Sequence, residues 1–392
     1  MPNADGAETP PAEVHTERRA IRPGGAGKEM SVTAESLVER VARARDVLDG
    51  LKLDALLVSA IPDVRYLSGF RGDDTYLLLG RELALICTDS RYWPQVAEEV
   101  HGFTLEKIER VTDDSLTALA RELGERAALG FQGADLSYAG HRRLRRLHRG
   151  RLRDVGDRLG RLRIVKDAAE IAALRRACDV VEGALADVLA AGLVGRTEAE
   201  VAWGLRAAMH ERGAEDVAFD TIVAAGERGA LAHAIPGERR IGAGELVVID
   251  AGARVDGYCS DITRTVAAGK VGAQEQEIYD VVLGAQLAAL AAVRPGVSGS
   301  VVDASARDLI AEAGYGDLFG HGTGHGVGLE IHELPRLGRT VGDTLAAGMV
   351  HTVEPGIYLE GRFGVRIEDT VLVTEAGCER LTVSDKELLV VA

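Results

Sequence analysis

The sequence predicts an α/β chain built in two parts, and three observations predict it. Its 392 residues, 46% of them hydrophobic, are enough for two domains and a sizeable core. Short apolar runs bounded by turn residues alternate with stretches of helical period. A Gly- and Arg-rich stretch near residue 160 divides the chain, and a long helical stripe starts just beyond it.

Taken in order, residues 1–29 carry a "PGGAG" stretch and little periodicity, so a disordered tail is expected there. From Met30, "MSVTAESLVERVARARDVLDGLKLDALLVS" reads as a helix followed by a buried strand. The runs "LDALLVSA" (53–60), "TYLLLG" (75–80) and "LALICTD" (83–89) read as strands, with helices expected at 90–100 and 113–123. From Ala168, the residues Ile171, Leu174, Cys178, Val181, Leu185 and Val188 recur every three or four positions, the stripe of a helix that buries one face. A second helix is expected over 197–212, then strands and helices to the end. No internal repeat is apparent.

The formal net charge of −15 favours solubility and disfavours non-specific nucleic-acid binding. No apolar run is long enough to span a bilayer, and residues 1–29 lack the apolar region of a signal peptide. Cys87, Cys178, Cys259 and Cys378 are far apart and form no C-x-x-C, neither a zinc ribbon nor a disulfide framework. A cytoplasmic enzyme with no nucleic-acid or membrane partner is expected. The basic run "HRRLRRLHRGRLR" (141–153) has no aromatic residue to stack on bases, so it reads as a solvated helix face or interdomain contact.

The chemistry is carried by acidic residues. "ELVVIDAG" (245–252) delivers Asp250 at the end of an apolar run, and "CSDITRTVA" (259–267) puts Asp261, Thr263 and Thr265 on one strand face. A hairpin folded about Val255 and Asp256 sets Asp250 opposite Asp261. Downstream, "MVHTVEPGIY" (349–358) and "FGVRIEDTVLV" (363–373) flank a turn at Gly361, which sets Glu354 opposite Glu368. Alternation places Arg366 with Glu368 and Tyr358 with Glu354. Like charges directly opposed destabilise a sheet, and four clustered carboxylates raise one another's pKa. For one hairpin alone, a surface pair or an arginine bridge explains the pattern. Two such hairpins, with "GHGTGHGVGLEIHE" (320–333) between them, point to an acid-rich site for two divalent cations.

The order Asp250, Asp261, His325, Glu354, Glu368 resembles the metal-ligand order of the pita-bread metallopeptidases, which include methionine aminopeptidase, aminopeptidase P and prolidase. The strings "DAGARVDGYCSDITRT", "GHGTGHGVGLEIHELP", "VEPGIY" and "VRIEDT" resemble that family's as well. The resemblance implies a pita-bread catalytic domain over 164–392, preceded by a smaller creatinase-type α/β domain over 30–163. It implies that Asp250 chelates one metal, that Asp261 and Glu368 bridge two, and that His325 and Glu354 complete the second. Four carboxylates and one imidazole suit manganese first, with cobalt or zinc as alternatives.

His332, seven residues after His325, and His233, seventeen before Asp250, match further histidines of the family. His321 matches one typical of the proline-specific members. A lone loop histidine is ordinarily just exposed; at these offsets, the resemblance implies that His233 or His332, together with a metal, stabilises the developing oxyanion. His321, Arg366 and Tyr358 become substrate-side residues, and Glu354 the base that takes a proton from water and passes it to the leaving proline nitrogen. The expected activity is hydrolysis of the X–Pro bond at a peptide's amino terminus by an Xaa-Pro dipeptidase, with an Xaa-Pro aminopeptidase as the alternative and a homodimer as the expected assembly. Methionine aminopeptidase ranks lower because of His321 and the extra domain. A creatinase-type hydrolase or a non-catalytic binding module ranks lower because all five ligands are present. The glycine-rich stretch contains no G-x-G-x-x-G register, and Arg336 stands where an H-E-x-x-H motif needs histidine.

Overall fold

A computed structural model describes residues 34–392 apart from Arg110, Glu125, Val341 and Gly342, with backbone alone for Ala34, Val111, Thr112 and Asp113. The tail expected at 1–29 lies outside the described residues. The three apolar runs form strands Ala55–Val58, Tyr76–Gly80 and Ala84–Asp89. Leu56, Leu57, Val58, Leu77, Leu78 and Leu79 are all buried, because helices cover both faces; that is why these runs are continuously apolar rather than alternating. The sheet has six strands in the order Thr104–Ile108, Ala84–Asp89, Tyr76–Gly80, Ala55–Val58, Leu129–Phe131, Leu152–Asp154. Helices Trp93–Glu99 and Val111–Glu122 stand where helices are expected. The basic run contributes helix Tyr138–Leu147, which buries Leu144 and exposes Arg142, Arg145 and Arg146, a solvated face as read from sequence.

The long stripe forms helix Ala168–Ala190. Asp167 starts it with a capping box: its side chain accepts from the Glu170 amide at 2.9 Å, and Glu170 accepts from the Asp167 amide at 3.0 Å. Leu174, Cys178, Val181, Leu185 and Val188 are buried, each side chain contributing about 1.5–3 kcal/mol relative to exposure. The other oxygen of Asp167 accepts from Ser36 at 2.9 Å and Arg40 at 2.7 Å, which ties helix Ala34–Gly50 to this one.

Beyond Asp167 one order of elements occurs twice. Helices Ala168–Ala190 and Glu198–Glu211 lead to strands Ile222–Ala225, Glu245–Ala251 and Ile262–Ala268. Helices Ala273–Ala292 and Gly299–Glu312 lead to strands Gly324–Gly326, Val350–Val353 and Asp369–Val373. In each set the neighbouring strands pair antiparallel. Both sets also pack a buried apolar cluster, one around Val181, Leu205 and Val247, the other around Ile278, Val302 and Val353. The repeat is one of architecture, so no recurring residue string announces it.

Candidate metal centre

The first hairpin differs from its expected register. Asp250 pairs with Thr263 and Ala251 with Ile262, so Asp261 falls across from Gly252 rather than Asp250. The reason is the turn. Arg254 pairs with Cys259 and Val255 with Tyr258, which centres it on Asp256 and Gly257, both at positive φ (50° and 78°), the two-residue turn that Asp-Gly favours. A shift of two residues keeps every side chain on its face, so Asp250 and Asp261 remain diagonal neighbours. In the second hairpin Gly356 pairs with Arg366 and Val353 with Asp369, and the common register sets Glu354 across from Glu368, as expected.

Hydrogen bonds between the two hairpins bring the acid pairs together. The Thr263 hydroxyl donates to Glu368 at 2.7 Å, and the Glu368 amide donates to the Thr263 carbonyl at 3.1 Å. Thr265 donates to the Arg366 carbonyl at 2.9 Å, and Thr370 to the Asp261 carbonyl at 2.8 Å. His325 Nε2 lies 3.5 Å from Asp261 and 3.4 Å from Glu354. The Gly326 carbonyl accepts from His325 Nδ1 at 3.1 Å, which assigns the ring proton to Nδ1 and leaves the Nε2 lone pair facing the carboxylates.

Charge is concentrated here. Burial and then the carboxylates of Glu368, Asp250 and Glu354 push Asp261 well above the usual carboxylate range. Burial and then Glu354 and Asp250 do the same to Glu368, and burial raises Glu354. Burial holds His325, His321 and His332 below the usual imidazole range, so all three are neutral near pH 7. Asp261, His325 and Glu368 offer ligand atoms all within 4.8 Å of one another. Asp250 Oδ1 and Asp261 Oδ1 are buried without a hydrogen-bond partner. A buried carboxylate oxygen with no donor is costly, and a divalent cation supplies what it lacks. The donor set fits hard or borderline ions.

Around this cluster a chain of polar contacts sets orientation. Arg366, 3% exposed, donates to Asp250 at 2.7 Å, Thr263 at 3.0 Å, Tyr358 at 2.9 Å and the Ala232 carbonyl at 3.2 Å. The Tyr358 hydroxyl meets His321 Nε2 at 2.8 Å, and His321 Nδ1 meets the Gly322 carbonyl at 2.8 Å. Tyr358 and Arg366 are thus spent on neighbours, while His321 is anchored by them. His332 packs edge-on against His325, ring centroids 4.5 Å apart.

A cleft of about 1410 Å³ opens over the cluster. His233, His321, His325, His332, Asp250, Asp261, Glu354, Arg366 and Glu368 line it. Every site residue expected from sequence therefore lies at the cleft, Tyr358 one contact behind it. Sequence reading missed four others. Thr352 joins the His325 amide (3.1 Å) to Glu354 (3.2 Å). Buried Asp303 accepts from the Thr323 amide and hydroxyl and pairs with Arg307, which donates to the Phe319 and His321 carbonyls. Arg336, paired across the ladder from His325, brings a cation to the cleft wall. The i, i+4 spacing of Asp303 and Arg307 was the available signal, but surface helices show it routinely.

Known proteins resemble this chain in sequence and fold. Residues 172–375 match the profile of metallopeptidase family M24, and residues 40–165 match the creatinase/prolidase N-terminal domain. An Xaa-Pro dipeptidase of Pyrococcus horikoshii is 37% identical over 354 residues, 90% of this chain and 99% of that one. The structure of an Xaa-Pro dipeptidase from Bacillus anthracis superposes with TM-score 0.87 at 37% identity, covering 91% of this chain and 100% of that one. An X-Pro aminopeptidase from Thermotoga maritima gives TM-score 0.83 at 37% identity, covering 90% and 99%. The expected pita-bread catalytic domain behind a creatinase-type domain is borne out. With two acid-bearing hairpins closed around His325 and matches running across both parts, the chain belongs to metallopeptidase family M24.

Proposed function

We propose that this protein is an Xaa-Pro dipeptidase. The observation that carries the reading is the cluster of Asp261, His325 and Glu368, with orphaned oxygens on Asp250 and Asp261, at the floor of a cleft lined by four histidines. The relatives named as Xaa-Pro dipeptidases support the substrate class. Asp250, Asp261, His325, Glu354 and Glu368 would hold two divalent cations, manganese first, which when bound lower the pKa of the attacking water and polarise the scissile carbonyl.

The remaining roles belong to the chain's own residues. Glu354, made more basic by burial, takes the proton of the attacking water and delivers it to the proline nitrogen as the bond breaks. His233 and His332, lining the cleft, donate to the carbonyl oxygen as charge develops there. Arg366 fixes Asp250, and Tyr358 fixes His321, so both act by orienting neighbours, and His321 faces the proline side. Arg336 is the cation that the substrate's carboxylate meets. An X–Pro bond has no N–H, so recognition rests on the amino terminus, the ring and that carboxylate.

The parts meet at residues 163 and 164 in this reading. A homodimer is supported by Trp203, Leu231 and Ile235, large apolar side chains exposed by 69%, 55% and 82%. A cytoplasmic location is supported by four free cysteines. An Xaa-Pro aminopeptidase is the second reading, because the cleft exceeds the roughly 300–1,000 Å³ usual for small ligands and would admit a longer peptide. Turnover of Xaa-Pro dipeptides, Xaa-Pro-Yaa tripeptides and Met-Ala-Yaa peptides with manganese separates these readings. Cleavage confined to dipeptides supports the first, cleavage of tripeptides the second, and release of methionine contradicts both.

A further inference from the structure

A buried ionic cluster stands behind His332 and joins it to the first part of the chain. Arg163 reaches Asp63 at 3.4 Å and Glu333 at 3.5 Å, and pairs closely with Glu330. Lys166 reaches Glu333 at 3.1 Å, and Glu333 also accepts from the Glu330 amide at 3.1 Å. Asp63 is held from its other side by Gln132 at 2.6 Å. Asp63, Arg163, Lys166 and Glu333 are all buried. Asp63 belongs to helix Ile61–Ser68, directly after a strand of the six-stranded sheet, whereas Glu330 and Glu333 belong to the segment that carries His332. An apolar contact of similar size would hold the two parts together at least as well. What an ionic cluster adds is direction.

The segment Val327–Glu333 is otherwise held by its backbone and by apolar packing: Glu333 pairs with Gly326 across the ladder, and Val327, Leu329 and Ile331 join an apolar cluster. Val327 donates to the Val350 carbonyl at 3.2 Å, and the Gly328 carbonyl accepts from Cys259 at 2.8 Å. Among the described residues no hydrogen bond holds the His332 ring; it rests edge-on against His325. A ring without a tether takes its place from the backbone beside it, and here the next residue, Glu333, is clamped by Lys166 and Arg163.

We propose that Arg163, Lys166 and Glu333 are positioning residues that set the His332 ring at the reacting carbonyl, so that the first part of the chain governs turnover through this clamp. This rests on the role given to His332 above. Simple glue between the two parts would lower stability and would act whether or not His332 is present. Positioning acts through His332.

A double-mutant cycle tells these apart. Glu333→Gln keeps the side chain's shape and removes its charge. It is expected to lower kcat on an Xaa-Pro dipeptide by about tenfold or more, with KM little changed. On a His332→Ala background it should change kcat by less than about twofold. An equal loss on both backgrounds, or no loss on the first, overturns the proposal. Glu330→Gln, a milder change at a half-exposed side chain, should show the same pattern more weakly and serves if Glu333→Gln does not fold.

A second measurement needs no turnover. The rate at which diethyl pyrocarbonate modifies His332 in the full-length protein, followed by peptide mass spectrometry with exposed His101 as internal control, should rise severalfold in either variant. An unchanged rate overturns the clamp even if X–Pro bonds are cleaved. A raised rate in a protein that does not cleave them leaves the clamp standing and counts against the proposed function alone.

Discussion

Glu354 combines a raised proton affinity with a place against His325, 3.4 Å away. Glu354→Gln should lower kcat on X–Pro dipeptides by about 100- to 10,000-fold. The metal-free variant should unfold at the same urea concentration as wild type or a higher one, since a neutral amide relieves repulsion among the carboxylates. Full activity in this variant would remove Glu354 from the proposed chemistry. His351, on strand Val350–Val353, is fully buried and its Nε2 has no partner. Burial pushes it down to about 4 from an ordinary 6.5. A histidine whose folded pKa is depressed binds its proton more readily when unfolded. Stability is therefore complete above pH 6.5 and is lost as pH falls toward 4, by about 3 kcal/mol. His351→Leu should flatten this part of the stability profile between pH 7 and pH 4 in urea titrations.

At the scale of elements, the Asp256-Gly257 turn sets where Asp250 and Asp261 stand. Gly257 has φ of 78°, and a methyl there would lie 2.1 Å from the Arg65 guanidinium carbon. Gly257→Ala should cost at least about 1–2 kcal/mol from the left-handed backbone alone and should weaken manganese binding measured by calorimetry. Manganese affinity unchanged alongside that loss would uncouple the turn from the site. The same turn shows what was legible in the sequence. Strands, helices and the faces of all four carboxylates were, because period and alternation survive an even shift in register. The pairing partner of Asp250 was not, because a hairpin can close on Val255-Asp256 or on Asp256-Gly257 with both acids kept on one face. Thr263 and Thr352 were invisible as contacts, since a strand hydroxyl has the same pattern whether it meets a carboxylate or solvent. The cluster of Asp63, Arg163 and Glu333 joins residues far apart in sequence, and no local spacing announces it.

For the whole molecule, the two architectural halves each bring one hairpin, and neither alone assembles the carboxylate cluster. Treatment with a chelator should abolish dipeptide cleavage and manganese should restore it; activity unchanged after chelation would contradict the dinuclear reading. Manganese at 100 times its dissociation constant should also raise stability by about 2.7 kcal/mol, read as a higher thermal midpoint. Among the described residues no helix is long and apolar enough to cross a membrane.

The hydrogen bond from Thr263 to Glu368 spans 105 residues of chain, and its consequence belongs to biosynthesis. During translation Asp250 and Asp261 leave the ribosome long before Glu368, and until that last acid docks, the proposed cation cradle is half a cradle. A chain released early carries one acid-bearing hairpin and nothing to close it. On the proposed ligand set, a chain that ends before Glu368 would lack one of the five cation ligands.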